Sequence, residues 1–180
     1  SYDRWVPFGQ FDVAKLVGLI RSRRSCRNYL PDLVEREILE DLVSAGICAP
    51  SGTNSQKWTF TILPDRESVE SAAEQIAVFF RRLNRLARNA ILRNAMKLFG
   101  KRSLDDYYRN YYESVEEALA QYDRNGRDRL FHGATAVIVV GSRPGASCPA
   151  EDALLATQNI LLTAHALGLG TCLIGFAVEA

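Results

Sequence analysis

Arg23-Arg24-Ser25-Cys26-Arg27 puts three guanidinium groups and a hydroxyl into one short segment. Like charges this close repel unless an anion sits among them. Phosphate fits best, because the guanidinium fork matches its oxygens in pairs. The competing reading is a solvated run of arginines after a helix, which is how Arg21 reads. Further along, Ala49-Pro50-Ser51-Gly52-Thr53-Asn54-Ser55-Gln56-Lys57-Trp58 is rich in small and amide-bearing residues. Asn54 and Gln56 each offer two donors and an acceptor, as the edge of a planar heterocycle requires. Alone, this stretch would be an ordinary helix-to-strand connection. Together the two segments describe a site for a phosphorylated, ring-bearing cofactor.

The side chains themselves offer little chemistry. No Ser/His/Asp or Cys/His arrangement stands out, and no pair of carboxylates is spaced for acid–base work, so no residue is assigned as catalytic. His132 and His165 are the only histidines, and Cys26, Cys48, Cys148 and Cys172 show no metal-type spacing, so no metal site is assigned. His165 reads as a satisfied core group. The arginines beside Cys26 would favour its thiolate, and simple packing is the alternative. Gly168-Leu169-Gly170 is no dinucleotide fingerprint, because a helix precedes it and a strand is predicted after it, the reverse of the required order. The hard chemistry therefore falls to a cofactor.

Periodicity supplies the elements that must position these groups. Asp12 caps a predicted helix with Val13, Leu16, Val17 and Ile20 on one face, which delivers the arginine cluster at its end. After Pro31 a second helix is predicted from Glu35 to Cys48, with Ile38, Leu39, Leu42, Val43 and Ile47 on one face and Pro50 ending it. Trp58–Leu63 alternates large apolar residues with Thr and reads as a strand. From Arg66 to Tyr122 the spacing is helical throughout. Within it, no acidic residue occurs between Glu74 and Asp105, whereas Arg81, Arg82, Arg85, Arg88, Arg93, Lys97, Lys101 and Arg102 do. That basic run (79–102) reads as a solvated face, a charged lid or docking face, or a membrane or nucleic-acid patch, in that order. Asn125-Gly126 marks a turn. Ala134–Val140 is a short apolar run predicted as a strand buried on both faces. Pro149 opens a helix with Glu151 and Asp152 in its first turn, and Gly168 closes it. Thr171–Gly175 reads as a last strand. The order predicts an α+β fold with helices around a mixed sheet.

Composition bounds the rest. A chain of 180 residues fits one domain, 1–180, with a sizeable core. A net charge of +1 provides no bulk attraction to nucleic acid or membranes. No apolar run approaches the roughly 20 residues that span a bilayer, and Ser1-Tyr2-Asp3-Arg4-Trp5 has no signal-peptide character. The cysteine pattern favours a reduced, cytoplasmic chain. The absent initiating Met fits a trimmed chain or one cut from a longer protein.

In three segments, in order, the sequence resembles the nitroreductase family of flavin enzymes. Arg23–Arg27 is similar to its R-R-S-x-R phosphate motif. Ala49–Trp58 is similar to its A-P-S-x-x-N-x-Q-P-W loop, with Lys57 in place of Pro. Gly168-Leu169-Gly170-Thr171-Cys172-Leu173-Ile174-Gly175 is similar to its G-L-G-T-C-x-I-G segment. The wording also resembles the subgroup in which a ferredoxin-type iron–sulfur module precedes the flavin domain, although the cluster cysteines are absent here. The resemblance implies a mixed, mainly antiparallel central sheet flanked by helices, in an interlocked homodimer with FMN at the interface. By the same implication, Arg23, Arg24, Ser25 and Arg27 hold the phosphate and ribityl chain. Pro50, Ser51, Gly52, Asn54 and Gln56 approach the isoalloxazine from the second subunit, and Leu173, Ile174 and Gly175 lie along the ring. The implied reaction is ping-pong electron transfer from NADH or NADPH to an electron-poor acceptor such as a nitroaromatic or quinone. A ferredoxin-type donor acting through the basic helix is the alternative, or a flavin-binding protein without turnover. Residues 66–128 fall where members differ most and are expected to shape access. The family's C-terminal extension, with which members embrace the partner subunit, is not found up to Ala180; either it is missing from this sequence or this member lacks it.

Overall fold

The computed structural model describes residues 5–178, so the readings placed on Ser1–Arg4 and on Ala180 lie outside the described residues. Two compact units alternate along the chain. One takes in the residues up to Cys26, Glu35–Thr61 and Ile138–Cys172, and the other Arg27–Val34, Ile62–Val137 and the residues from Leu173.

The first unit is organised by α2 (Arg36–Ile47) packed on α7 (Pro149–Ala166). Leu39, Leu42, Ala49, Ala156, Ile160 and Ala164 are all buried. Small residues set the close approach. A Cβ added to Gly46 would lie 3.0 Å from Phe60 and 3.1 Å from Ile160, so only glycine lets the helix meet the strand and α7 together. Asn159 Nδ2 donates to the Ala45 carbonyl at 3.2 Å and ties the same pair of helices.

In α1 (Val13–Ser22), the Asp12 carboxylate accepts from the N–H groups of Ala14 and Lys15, as the sequence predicts. Its apolar stripe behaves otherwise. Val13, Leu16, Val17 and Ile20 are between 42% and 68% exposed.

Among the described residues the sheet is one pair of strands, β1 (Trp58–Leu63) and β2 (Val137–Ser142). Arg143 N–H donates to the Lys57 carbonyl at 2.8 Å, so the end of one strand meets the start of the other and the pair is antiparallel. The parallel component is an isolated bridge between Ser25 and Thr171. Two expectations need correction. Thr171–Gly175 forms no strand, since it carries a single isolated bridge at Thr171 and no ladder, and β2 is not covered on both faces, since Val139 is 53% exposed.

The second unit is helical. α3 (Arg66–Arg88) opens on a capping box in which Asp65 accepts from Ser68 N–H at 2.8 Å. That bond holds the Asp65 carboxyl below its ordinary range. The helical spacing from 66 to 122 resolves into α3, α4 (Ala90–Leu98), α5 (Ser103–Asn110) and α6 (Tyr112–Asn125). The breaks have local causes. Asn89 turns extended, and its side chain caps α4 through Leu92 N–H. Gly100 takes a φ of +76° between α4 and α5. Val69, Ala73, Phe131 and Ala134 form the core, with Tyr29, Leu63, Val137 and Ile174 packed around it. Asn84 is buried without strain, because it accepts from the Tyr107 hydroxyl at 2.6 Å and donates to Glu116 at 2.7 Å. Burial and the Glu116 carboxylate push the Tyr107 phenol up to about 12.

Candidate functional site

The helix carrying the arginine cluster ends at Arg23, whose N–H still bonds the Leu19 carbonyl while its own backbone turns extended. The chain then runs beside the segment that follows α7. Cys26 N–H donates to the Thr171 carbonyl at 2.8 Å, next to the Ser25–Thr171 bridge. Gly168 makes this possible. Its φ of +81° ends α7, and Leu169 N–H closes back on the Ala164 carbonyl at 2.9 Å. Ser22 Oγ and His165 Nε2 lie 2.8 Å apart and join the two helices at the same end. His165 is therefore satisfied, though half-buried at the surface and not in the core.

The arginines differ in what they do. Arg24 turns its guanidinium back onto the carbonyls of Arg21 and Arg23, at 2.6 and 2.8 Å, and neutralises the end of α1. Arg23 is half-buried and Arg27 exposed. Among the described residues, no carboxylate lies within ion-pairing distance of Arg21, Arg23, Arg24 or Arg27. Ser25 is exposed beside them. The guanidinium groups of Arg23 and Arg27 and the Ser25 hydroxyl thus lie together with no carboxylate partner among the described residues.

The 49–58 loop is held in a costly conformation. Thr53, Asn54 and Gln56 have φ values of +52°, +55° and +50°, a region non-glycine residues rarely occupy. Ser51 Oγ accepts from Gln56 N–H at 3.0 Å. Gln56 Nε2 donates to Asn54 Oδ1 at 3.0 Å, which leaves Asn54 Nδ2 and Gln56 Oε1, on two exposed residues, available as a donor and an acceptor. Pro50 and both amide residues are exposed, whereas Ser51 and Gly52 are half-buried. Lys57 has its own task, since its ammonium donates to the Gly145 carbonyl at 3.0 Å and the Pro144 carbonyl at 3.4 Å.

Leu173–Gly175 belongs to the second unit. Leu173 is 55% exposed and Gly175 exposed, while Ile174 packs its side chain against the Val69, Ala73, Phe131 and Ala134 core. In the same unit His132 sits at φ +56°. Partial burial and the neighbouring Arg27 charge lower its pKa from the ordinary imidazole value, with Asp128 opposing and Arg129 reinforcing.

Sequence reasoning missed Asp152 and Ser147. Asp152 is 2% exposed, and its carboxylate accepts from Gly52 N–H at 2.8 Å and from Ser55 Oγ at 3.4 Å. Ser147 Oγ lies 2.7 Å from Thr53 Oγ1. The sequence signalled Asp152 only as an acid in the first turn of a helix.

The sequence profile of the nitroreductase family matches residues 20–179. A protein of Methanothermobacter thermautotrophicus, provisionally named an NADH dehydrogenase/NAD(P)H nitroreductase, is 24% identical over 165 residues, covering 90% of this chain and 61% of that protein. A 4-nitrobenzoate reductase of a Nocardioides species is 25% identical over 169 residues, covering 86% of this chain and 66% of that one. The chain therefore spans less than two thirds of the length of either relative. A crystal structure of a nitroreductase with bound FMN from Desulfitobacterium hafniense matches with a TM-score of 0.59 at 27% identity, covering 89% of this chain and 70% of that one.

Proposed function

The chain belongs to the nitroreductase family, and we propose that it is an FMN-dependent oxidoreductase that moves electrons from NAD(P)H to an electron-poor acceptor, a nitroaromatic, quinone or related small molecule, by a ping-pong route. One observation carries the reading. The arginine segment, free of any carboxylate partner among the described residues, is joined to the late glycine segment through the Ser25–Thr171 bridge.

The residues present fit FMN. Arg23, Arg27 and Ser25 would hold its phosphate, with Arg24 contributing less because its guanidinium already serves α1. The strained 51–56 loop, with Asn54 Nδ2 and Gln56 Oε1 available, suits the polar edge of the flavin ring. Leu173, Ile174 and Gly175 would offer backbone along it. When bound, FMN would accept a hydride from the nicotinamide and return the electrons to the second substrate. The protein's share is positioning, exclusion of water and positive charge near the ring. Residues 66–128 would shape acceptor choice. They line an apolar cavity of about 210 Å³ between α3 and α6, bounded by Ala77, Phe80, Val115, Leu119 and Phe176. That size suits a single aromatic ring.

Homodimerisation is part of the proposal. The exposed stripe Val13, Leu16, Val17 and Ile20, with Ile47, Leu154 and Leu155 also exposed in the same unit, is apolar surface that a second copy of the chain would cover. No helix among the described residues is long and apolar enough to cross a membrane, and Cys48 and Cys148 are exposed thiols in no disulfide, which supports a reduced, cytoplasmic setting. A second reading keeps the flavin and changes the donor to a ferredoxin-type protein, as in the subgroup with an N-terminal iron–sulfur module. It rests on Arg82, Arg85 and Arg88, which leave the outer face of α3 with no carboxylate partner among the described residues.

Purified protein is expected to be yellow and dimeric, its flavin absorbance bleached by NADH or NADPH without oxygen. Colourless protein that takes up no added FMN overturns the reading. Slow bleaching by both nicotinamides, with fast, salt-sensitive bleaching by reduced ferredoxin, selects the second donor.

A further inference from the structure

The 51–56 loop is strained at three positions, and something must hold it there. Its own hydrogen bonds, among them Gln56 to Ser51 and to Asn54, Asn54 N–H to the Ser51 carbonyl and Ser55 N–H to the Gly52 carbonyl, are all local. The one deeply buried group that reaches the loop comes from 100 residues away. Asp152 sits in the first turn of α7 with 2% of its surface exposed and receives Gly52 N–H at 2.8 Å. Its second oxygen lies 3.4 Å from Ser55 Oγ. No cation pairs with it among the described residues.

A buried carboxylate without a cation is normally disfavoured by desolvation. Here the start of α7 offsets part of that cost through its orphan N–H groups and dipole. The side-chain bonds that Asp152 receives among the described residues both come from the loop, which places its role in what it grips. Its surroundings are built for close contact. A Cβ on Gly52 would lie 3.0 Å from Cys148 Sγ and 3.2 Å from Ser147 Cβ, so the loop backbone lies directly on the start of α7. The Thr53–Ser147 hydroxyl pair fastens the next residue.

We propose that Asp152 is a positioning residue for the flavin-facing loop. It fixes the Gly52 amide and Ser55 hydroxyl, and with Ser147 keeps Thr53, Asn54 and Gln56 in the left-handed conformation in which the Asn54 and Gln56 side chains are exposed. This rests on the cofactor reading above for its benefit to flavin binding, but the grip itself is a property of the chain alone. The reaction needs no proton or electron from Asp152.

The test compares Asp152→Ala with Asp152→Asn in the full chain, reading amide hydrogen exchange and FMN affinity by flavin fluorescence. Asparagine can accept from Gly52 N–H through Oδ1 and donate to Ser55 Oγ through Nδ2, so it should restore the grip without the charge. In Asp152→Ala, Gly52 N–H exchange should rise about tenfold or more and FMN affinity fall about tenfold, as for one buried acceptor lost. The Leu42 and Ile160 amides should stay protected, and Asp152→Asn should keep both readouts within about threefold of the original. Equal loss of protection at Gly52, Leu42 and Ile160 would show a general role in packing α7 and overturn the proposal. So would flavin affinity within about twofold of the original in Asp152→Ala while Gly52 exchange rises. If Asp152→Ala does not fold, the Ser55→Ala/Ser147→Ala double variant decides. Faster Gly52 and Thr53 exchange with weaker FMN binding supports the proposal, and no change in either overturns it. If the original protein binds no FMN, the cofactor reading fails by itself, and Gly52 exchange still decides whether Asp152 holds the loop.

Discussion

Two basic clusters in this molecule are built alike in sequence and treated oppositely in structure. Arg23, Arg24 and Arg27 follow α1 with no carboxylate partner among the described residues, and only Arg24 is used, against backbone carbonyls. Arg93, Lys97 and Arg109 instead converge on one buried acid. Asp105 receives Lys97 at 2.8 Å, Arg109 at 2.9 Å and Arg93 at 3.5 Å. Arg93 also lies over the Tyr108 ring, with its guanidinium carbon 3.7 Å from the centroid. Arginine density alone therefore does not mark a ligand site. What distinguishes the first cluster is that no carboxylate among the described residues pairs with it, which is the physical condition for wanting an anion from outside.

The sharpest way to break that comparison is Arg23→Ala. Removal of one charge-assisted phosphate contact should weaken FMN about tenfold to a hundredfold, with an unchanged circular dichroism spectrum and thermal midpoint for the flavin-free protein. Stoichiometric FMN in the purified variant would show that the unpaired cluster is solvated surface after all.

Asp105→Ala should do the reverse. It strands three cations, one of them Arg93 with a side chain only 14% exposed, and should lower the melting temperature by roughly 5–10 °C while leaving flavin content alone. The pH dependence has a defined sign. Lys97, with Arg109 and Arg93 behind it, holds the Asp105 carboxyl below its ordinary 3.8. Its stabilising contribution is therefore present above pH 3.8 and lost as pH falls through the lower folded value. Asp105→Asn should flatten that part of the acid-unfolding curve. Flavin loss in either variant at neutral pH would mean the two clusters are coupled.

The difference between the clusters was only half legible in the sequence. Arg23–Arg27 was readable because the helix before it and the two partner segments each carry strong local signals: the Asp12 cap, the Pro50 stop, and Gly168 with its left-handed turn. The same local signals placed α1, α2, β1 and α7 within a residue or two. Pairing depends on tertiary neighbours, so nothing local said that Arg93, Lys97 and Arg109 would share Asp105. The periodicity from 66 to 122 runs through Asn89 and Tyr111, and the break at Asn89 arises because its side chain caps the next helix instead of continuing the last. The strand expected at 171–175 failed for a similar reason. A run of β-favouring residues becomes a strand only where a continuous ladder forms beside it, and here the ladder is reduced to one isolated bridge at Thr171. Asp152 was invisible as a loop anchor, because its partners Gly52 and Ser55 are distant in sequence.

The smallest expected effect is also the most direct probe of the unpaired charge. His132, half-buried at φ +56°, has its pKa held below 6.5 by burial first and then by Arg27, with Arg129 adding to the effect and Asp128 opposing it. A neutral imidazole is thus favoured in the fold, so its contribution to stability is present above pH 6.5 and lost as pH falls through the folded value. A phosphate seated on Arg27 would offset the charge that His132 feels. The ring should then titrate a few tenths of a unit closer to 6.5 with FMN bound, an about right-sized shift for one partly screened neighbour. Following the His132 ring proton by NMR, with and without FMN, measures it, and Arg27→Gln should raise the flavin-free value and abolish the difference. A pKa that FMN leaves unmoved, or drives lower, would mean that the phosphate does not sit on Arg27, and the unpaired cluster would shrink to Arg23 and its neighbours on α1.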